Sequence, residues 1–216
     1  MDYNFTLNLT DSQSNFDKKV MTEFSRELNK HLRKSISQIK KGVGPIIADA
    51  VQNSKEVQSI LYGTLSAELG FVSPTTIAKQ IYDAIKRSVH IEFTPFKYNG
   101  KTLDGNFSVV AIHDDFSDII TDIPTASYKS NGHDIDWLKW LLFEGNNIIV
   151  VDYQITYNPS KVSHSRSRRA IMEPDTRSSY RIPAKWSGTQ SNNFITRSID
   201  SQAEHLIETH IAKVLF

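Results

Sequence analysis

The chain has 216 residues, enough for one substantial hydrophobic core or two small ones. Hydrophobic residues make up 39% and charged residues 23%, which excludes a disordered or low-complexity chain, and the absence of cysteine excludes disulfides, thiolate metal sites and cysteine nucleophiles. Formal net charge is only +1, but it is unevenly spread: residues 17–41 are basic, seven aspartates between 103 and 136 face the single basic Lys129, and residues 161–181 are basic again.

In chain order, Met1-Asp2-Tyr3-Asn4-Phe5 lacks the basic flank and apolar run of a secretion signal. No stretch approaches the ~18 apolar residues that span a bilayer, so no membrane partner is expected and a reducing cytoplasm suits the chain. Phe16, Val20, Phe24, Leu28, Leu32, Ile36 and Ile39 recur every three or four positions and predict an amphipathic helix over 12–41. Gly42 and Gly44 are expected to stop it, and Pro45 to start a second helix. A short helical stretch over 54–72, interrupted at Gly63 and Gly70, completes an N-terminal helical region, 1–72. Ser73-Pro74 reads as an N-cap and first helical position for a helix over 74–88, which opens a body of residues 73–216.

Periodicity then changes from helix to strand. Val89, Ile91 and Phe93 alternate with polar residues, and Asn99-Gly100 is the dipeptide of a tight hairpin leading to a partner strand through Phe107 to Ile112. Asp134 is placed to cap a helix bearing Trp137, Leu138, Leu141 and Leu142, ended by Gly145; residues 147–157 read as a strand with Val151, Tyr153, Ile155 and Tyr157 on one face. From 158 to about 197 periodicity disappears, the pattern of a long ordered loop. Ser201-Gln202-Ala203-Glu204 resembles a capping box ahead of a C-terminal helix. The expected class is α+β: long N-terminal helices, a small antiparallel sheet, a long loop and a C-terminal helix, packed as one compact domain.

The sequence offers little chemistry. His113-Asp114-Asp115 and His133-Asp134-x-Asp136 hold metal-ligand residue types without a metal-site pattern, and His205 and His210, five apart, read as solvated. Neither a nucleophile elbow nor a phosphate loop is present, since Lys41-Gly42-Val43-Gly44-Pro45 has the wrong order. The reading is non-enzymatic, with no catalytic, cofactor or metal residues. The run Lys161 to Arg169, with Lys18, Lys19 and Arg26, supports an alternative reading as a DNA-contacting factor. A cell-wall hydrolase is a third, weaker reading.

Three ordered stretches carry a resemblance. The first is Leu61-Tyr62-Gly63-Thr64-Leu65-Ser66-Ala67-Glu68-Leu69-Gly70; the second is Asp136 to Gly145 running into Ile148 to Tyr153. The third comprises Ser165-Arg166-Ser167, Ala170-Ile171-Met172, Tyr180-Arg181-Ile182-Pro183, Trp186-Ser187-Gly188-Thr189 and Asn192 to Arg197. In these the chain resembles a family of tailed-bacteriophage minor virion proteins of the neck, head-to-tail joining or tail-completion type. It departs from that pattern where Arg168 or Arg169 replaces a glycine and Tyr180 a tryptophan. The resemblance implies a structural virion protein, assembled in the host cytoplasm, that forms a ring with copies of itself and touches neighbouring neck, portal-side or tail-tube proteins. A ring uses heterologous interfaces, so complementary patches belong on one chain. The candidate interface is the 158–197 loop, anchored by Arg166, Arg168, Arg169, Ile171, Met172, Tyr180, Arg181, Pro183, Trp186, Gly188, Asn193, Phe194 and Arg197.

Overall fold

The computed structural model describes residues 12–112, 115–130 and 133–216. The architecture is α+β, built on one long helix. Helix α1, Gln13–Gln52, starts where the Ser12 hydroxyl accepts the Asn15 N–H, and its 40 residues span ~60 Å. Contrary to the sequence expectation, it passes unbroken through Gly42, Gly44 and Pro45. Packing explains why. A Cβ on Gly42 would fall 2.0 Å from the His210 imidazole, and one on Gly44 2.5 Å from the Lys86 carbonyl oxygen, so both glycines admit a close neighbour rather than end the helix. Pro45 forfeits one helical hydrogen bond at a cost of about 3 kcal/mol. Burying Val43, Ile47 and Val51 completely, at roughly 1.5–3 kcal/mol each, outweighs it.

Three elements dock along this rod. Helices α2 (Lys55–Tyr62) and α3 (Thr64–Glu68), separated at Gly63, lead through Gly70, whose φ of 66° turns the chain, into α4 (Pro74–Ser88). The α4 boundaries match the sequence reading, but the Ser73 side chain makes no cap; its carbonyl accepts the Thr76 and Ile77 N–H groups instead. The C-terminal helix α9, Ser201–Leu215, runs antiparallel to α1, with His210 Nε2 3.2 Å from the Gln38 carbonyl and His31 Nε2 3.0 Å from that of Leu215. His210 is therefore a docking residue, whereas His205 is solvated as expected. Asp200, not Ser201, caps α9, accepting from the Gln202 and Ala203 N–H groups.

Strands β1 (His90–Tyr98) and β2 (Leu103–Val110) pair antiparallel, and the third docked element is this hairpin. Its loop holds four residues rather than two. Only Gly100 has positive φ, because the Asn99 carboxamide oxygen accepts the Lys101 and Thr102 N–H groups and shapes the turn itself. A bulge sets Pro95 and Phe96 against Gly105, where a Cβ would lie 2.6 Å from the Phe96 Cα. The Asn29 side chain of α1 accepts the Phe96 N–H and donates to its carbonyl, both at 2.8 Å, which locks the hairpin onto the rod.

Helix α5 (Ser117–Asp122) and the short pair β3 (Tyr128–Ser130) and β4 (His133–Ile135) follow. Asp134 lies in β4 and caps nothing; α6, Trp137–Lys139, begins after Asp136 and continues as a π-turn, Trp140–Glu144, to Gly145. Trp137 is fully buried, edge-on to Phe71 at 4.9 Å, with its indole N–H on the Thr125 carbonyl. Strand β5, Val150–Thr156, does not alternate cleanly: Asp152 has φ 61° and Val151 is 61% exposed.

The expected 158–197 loop is not structureless. It contains α7 (Pro159–Val162), strand β6 (Ile171–Tyr180) paired antiparallel to β5, and α8 (Phe194–Ser198). The β5–β6 register jumps from Val151↔Ser179 to Tyr153↔Pro174, so residues 175–178 bulge opposite Asp152. Phe194 and Ile195 join the core that contains Ile39, Ile47, Ile60, Ile85 and Trp137.

Candidate interaction surface

Most of the loop residues expected at a subunit interface bind their own subunit. The Arg166 guanidinium lies 3.9 Å above the Tyr128 ring, and its Nε donates to the Gly70 carbonyl at 2.9 Å. Arg169 donates to the Ser66 hydroxyl, and the Ser167 hydroxyl reaches the Ala67 carbonyl. Glu68 accepts from the Tyr157 phenol at 2.8 Å and from Tyr180 at 3.3 Å. Burial first, and then the Glu68 carboxylate, pushes both phenols well above the usual tyrosine range. Loss of water likewise raises Tyr128, against the opposing pull of Arg166.

Three further anchors are likewise engaged within the subunit. Gly188 is buried with no room for a side chain: an added Cβ would meet the Leu141 carbonyl oxygen at 2.1 Å, and its own carbonyl accepts the Gly145 N–H at 2.8 Å. Asn193 is fully buried and forms a capping box with Thr196 at the start of α8. Arg197 donates at 2.6 Å to Glu56, whose side chain is 2% exposed, and through its other nitrogen to Asn192.

These contacts join the three stretches that carry the resemblance. Leu61–Gly70 receives Arg166, Ser167 and Tyr180 from the third stretch, with Arg169 from the gap inside it, and Leu141 and Gly145 of the second meet Gly188 of the third. They form one interlocked unit within the subunit. Sequence spacing gave no sign of it, because every contact crosses from one motif to another.

Arg166 and Arg169 remain exposed despite these contacts, and the set that is accessible without an intrasubunit polar partner is smaller. Arg168 and Arg181 are exposed and make no ion pair among the described residues, and Ile171, Met172, Pro183 and Trp186 are half-buried. Lys185 caps the Trp186 ring at 4.6 Å. A second surface was not singled out in the sequence: Phe16, Val20 and Phe24, on the expected apolar stripe of α1, are 46%, 48% and 53% exposed. They prolong the α1 seam past the end of α9, where Phe216 is fully exposed.

Shallow cavities occur among the described residues. One, of about 690 Å³, lies between Ile46, Asn53, Arg197 and Leu206; another, of about 580 Å³, lies between Phe116, Thr189 and Ile195. Among the described residues no group of three histidine, aspartate or glutamate side chains could hold a metal; His113 and Asp114 lie outside them. No helix of the described residues is long and apolar enough to cross a membrane. Comparison with protein-family models, curated proteins and solved structures finds no match to this chain.

Proposed function

We propose that the chain is a non-enzymatic structural protein of a tailed-phage virion, a ring-forming component at the neck that joins head to tail or completes the tail. The observation that carries this reading is backbone geometry at the point where the sequence departs from the family it resembles. Arg168 has φ 55°, the left-handed region that glycine occupies without strain, and the family pattern places a glycine at Arg168 or Arg169. A backbone conformation that favours glycine, found where the resemblance puts one, supports the alignment of the third motif stretch. The interlocking of all three stretches supports it further.

Assembly needs surface as well as ancestry. The exposed Phe16–Phe24 stripe and the unpaired Arg168 and Arg181 supply apolar and charged surface for contact with another copy. Native mass spectrometry of the purified chain, followed by electron microscopy of particles, tests the reading. The expected result is a closed oligomer located at the neck. A monomer at every concentration, absent from particles, overturns it.

A further inference from the structure

A run of charge without acidic partners lies on α1, apart from the arginine-rich segment before β6. Residues 28–48 contain no aspartate or glutamate but carry Lys30, Arg33, Lys34, Lys40 and Lys41. Lys30 is paired with Glu27, yet Arg33, Lys34, Lys40 and Lys41 are exposed and make no ion pair among the described residues. At about 100° per residue these four fall within an arc of about 120°, on one side of the helix. The close approach of Gly44 to the Lys86 carbonyl brings the end of α4 onto the same face, one turn from Lys41; Lys86 is likewise exposed and makes no direct ion pair among the described residues, although Asp83, bound to Lys79, lies within its field. Arg87 beside it is satisfied by Asp122 at 3.1 Å.

Five cations held on a rigid surface repel one another unless something anionic covers them. We propose that this face of α1 and α4 binds the phosphate backbone of duplex nucleic acid without reading its sequence. Three observations favour phosphate over an acidic protein surface. Four of the five cations are lysines, which suit point-charge contact with phosphate and are depleted at protein interfaces. No large apolar side chain is exposed among them to anchor a protein partner: the exposed residues of α1, Phe16, Val20 and Phe24, end nine positions, or ~13 Å, before Arg33. The side chain between the two cationic pairs is Ser37, which offers no bidentate edge for reading bases. This inference stands independently of the assembly reading.

The test is fluorescence anisotropy of the full chain with a mixed-sequence duplex of about 20 base pairs, titrated from about 50 to 200 mM salt. Neutralising about five phosphates gives a slope of log affinity on log salt near −4.5, a loss of roughly 500-fold over that range. Lys40→Glu with Lys41→Glu, both exposed, should lower affinity at least ~10-fold and flatten the slope by about two, with the melting temperature unchanged. Arg168→Glu with Arg181→Glu should leave binding as it was. No binding by the wild-type chain at low salt overturns the proposal. So does binding that survives K40E/K41E, or a change of oligomer mass in that variant with no DNA affinity in the wild type, which assigns the face to a protein neighbour.

Discussion

Arg197→Met isolates the ion pair that ties α8 to the start of α2. Arg197 loses two partners at once, the Glu56 carboxylate at 2.6 Å and the Asn192 carbonyl at 3.1 Å. The Glu56 side chain, 2% exposed, is then a buried charge without its cation, and breaking such a pair from one side costs about 3–5 kcal/mol. The Arg197 side chain is itself 29% exposed, so water relieves part of that and the low end, about 3 kcal/mol, is expected. For a chain of this length each kcal/mol moves the midpoint by roughly 2–4 °C, giving a fall of about 6–12 °C in a circular-dichroism melt. Arg197→Lys keeps the charge but not the fork that reaches both partners, and should lose about half as much. Arg197→Met combined with Glu56→Gln removes the orphaned charge and should recover at least ~1 kcal/mol of the single-variant loss. If Arg197→Met melts within about 1 °C of the wild type, the pair is not structural and the reasoning fails.

Gly44→Ala should destabilise by about 1–3 kcal/mol in urea titration, because its Cβ meets backbone, the Lys86 carbonyl oxygen. Gly42→Ala meets only the His210 ring, which can swing aside by giving up its contact with the Gln38 carbonyl; the ~1 kcal/mol gain in helix propensity should offset that loss and keep the variant close to neutral. Arg168→Gly relieves a left-handed residue and should raise stability by about 0.5–1 kcal/mol by the same titration. The Tyr157 and Tyr180 phenols are raised in the folded state, so their contribution is fully present below the unfolded value of about 10 and is lost as pH rises beyond it. Melts from pH 9 to about 11 should show a steeper decline for the wild type than for Tyr180→Phe, and parallel curves would refute that role for the cluster.

Elements with their own local period were legible in the sequence: α4, from its proline-led start and four-residue isoleucine spacing, and α9, from its apolar face. What failed to show were features fixed by distant partners. Local rules make Gly42-Val43-Gly44-Pro45 a helix end, whereas the glycines serve the approach of α9 and α4. Strand β6 has no alternation because Pro174 and the 175–178 bulge interrupt it, and only pairing with β5 makes it a strand. The candidate interface misled for a related reason. Arginines and aromatics in an aperiodic stretch suit an intersubunit arm and an intrasubunit clasp equally, and Ser66, Glu68 and Gly70, which decide between them, lie about 100 residues away.

The Asn29 clasp on Phe96 gives α1 a mechanical consequence. Toward its N-terminus from that clasp, about 16 residues of the helix, or ~24 Å, carry the exposed apolar stripe; beyond it the same helix bears on α9 at Gln38 and Gly42 and on α4 at Gly44. A load applied to Phe16 or Phe24 by an adjoining subunit would therefore act through a lever arm with the hairpin as its fulcrum. Its far end is held where Gly44 meets the Lys86 carbonyl and Gly42 the His210 ring, so force at the stripe would arrive as torque on the α4 and α9 seams.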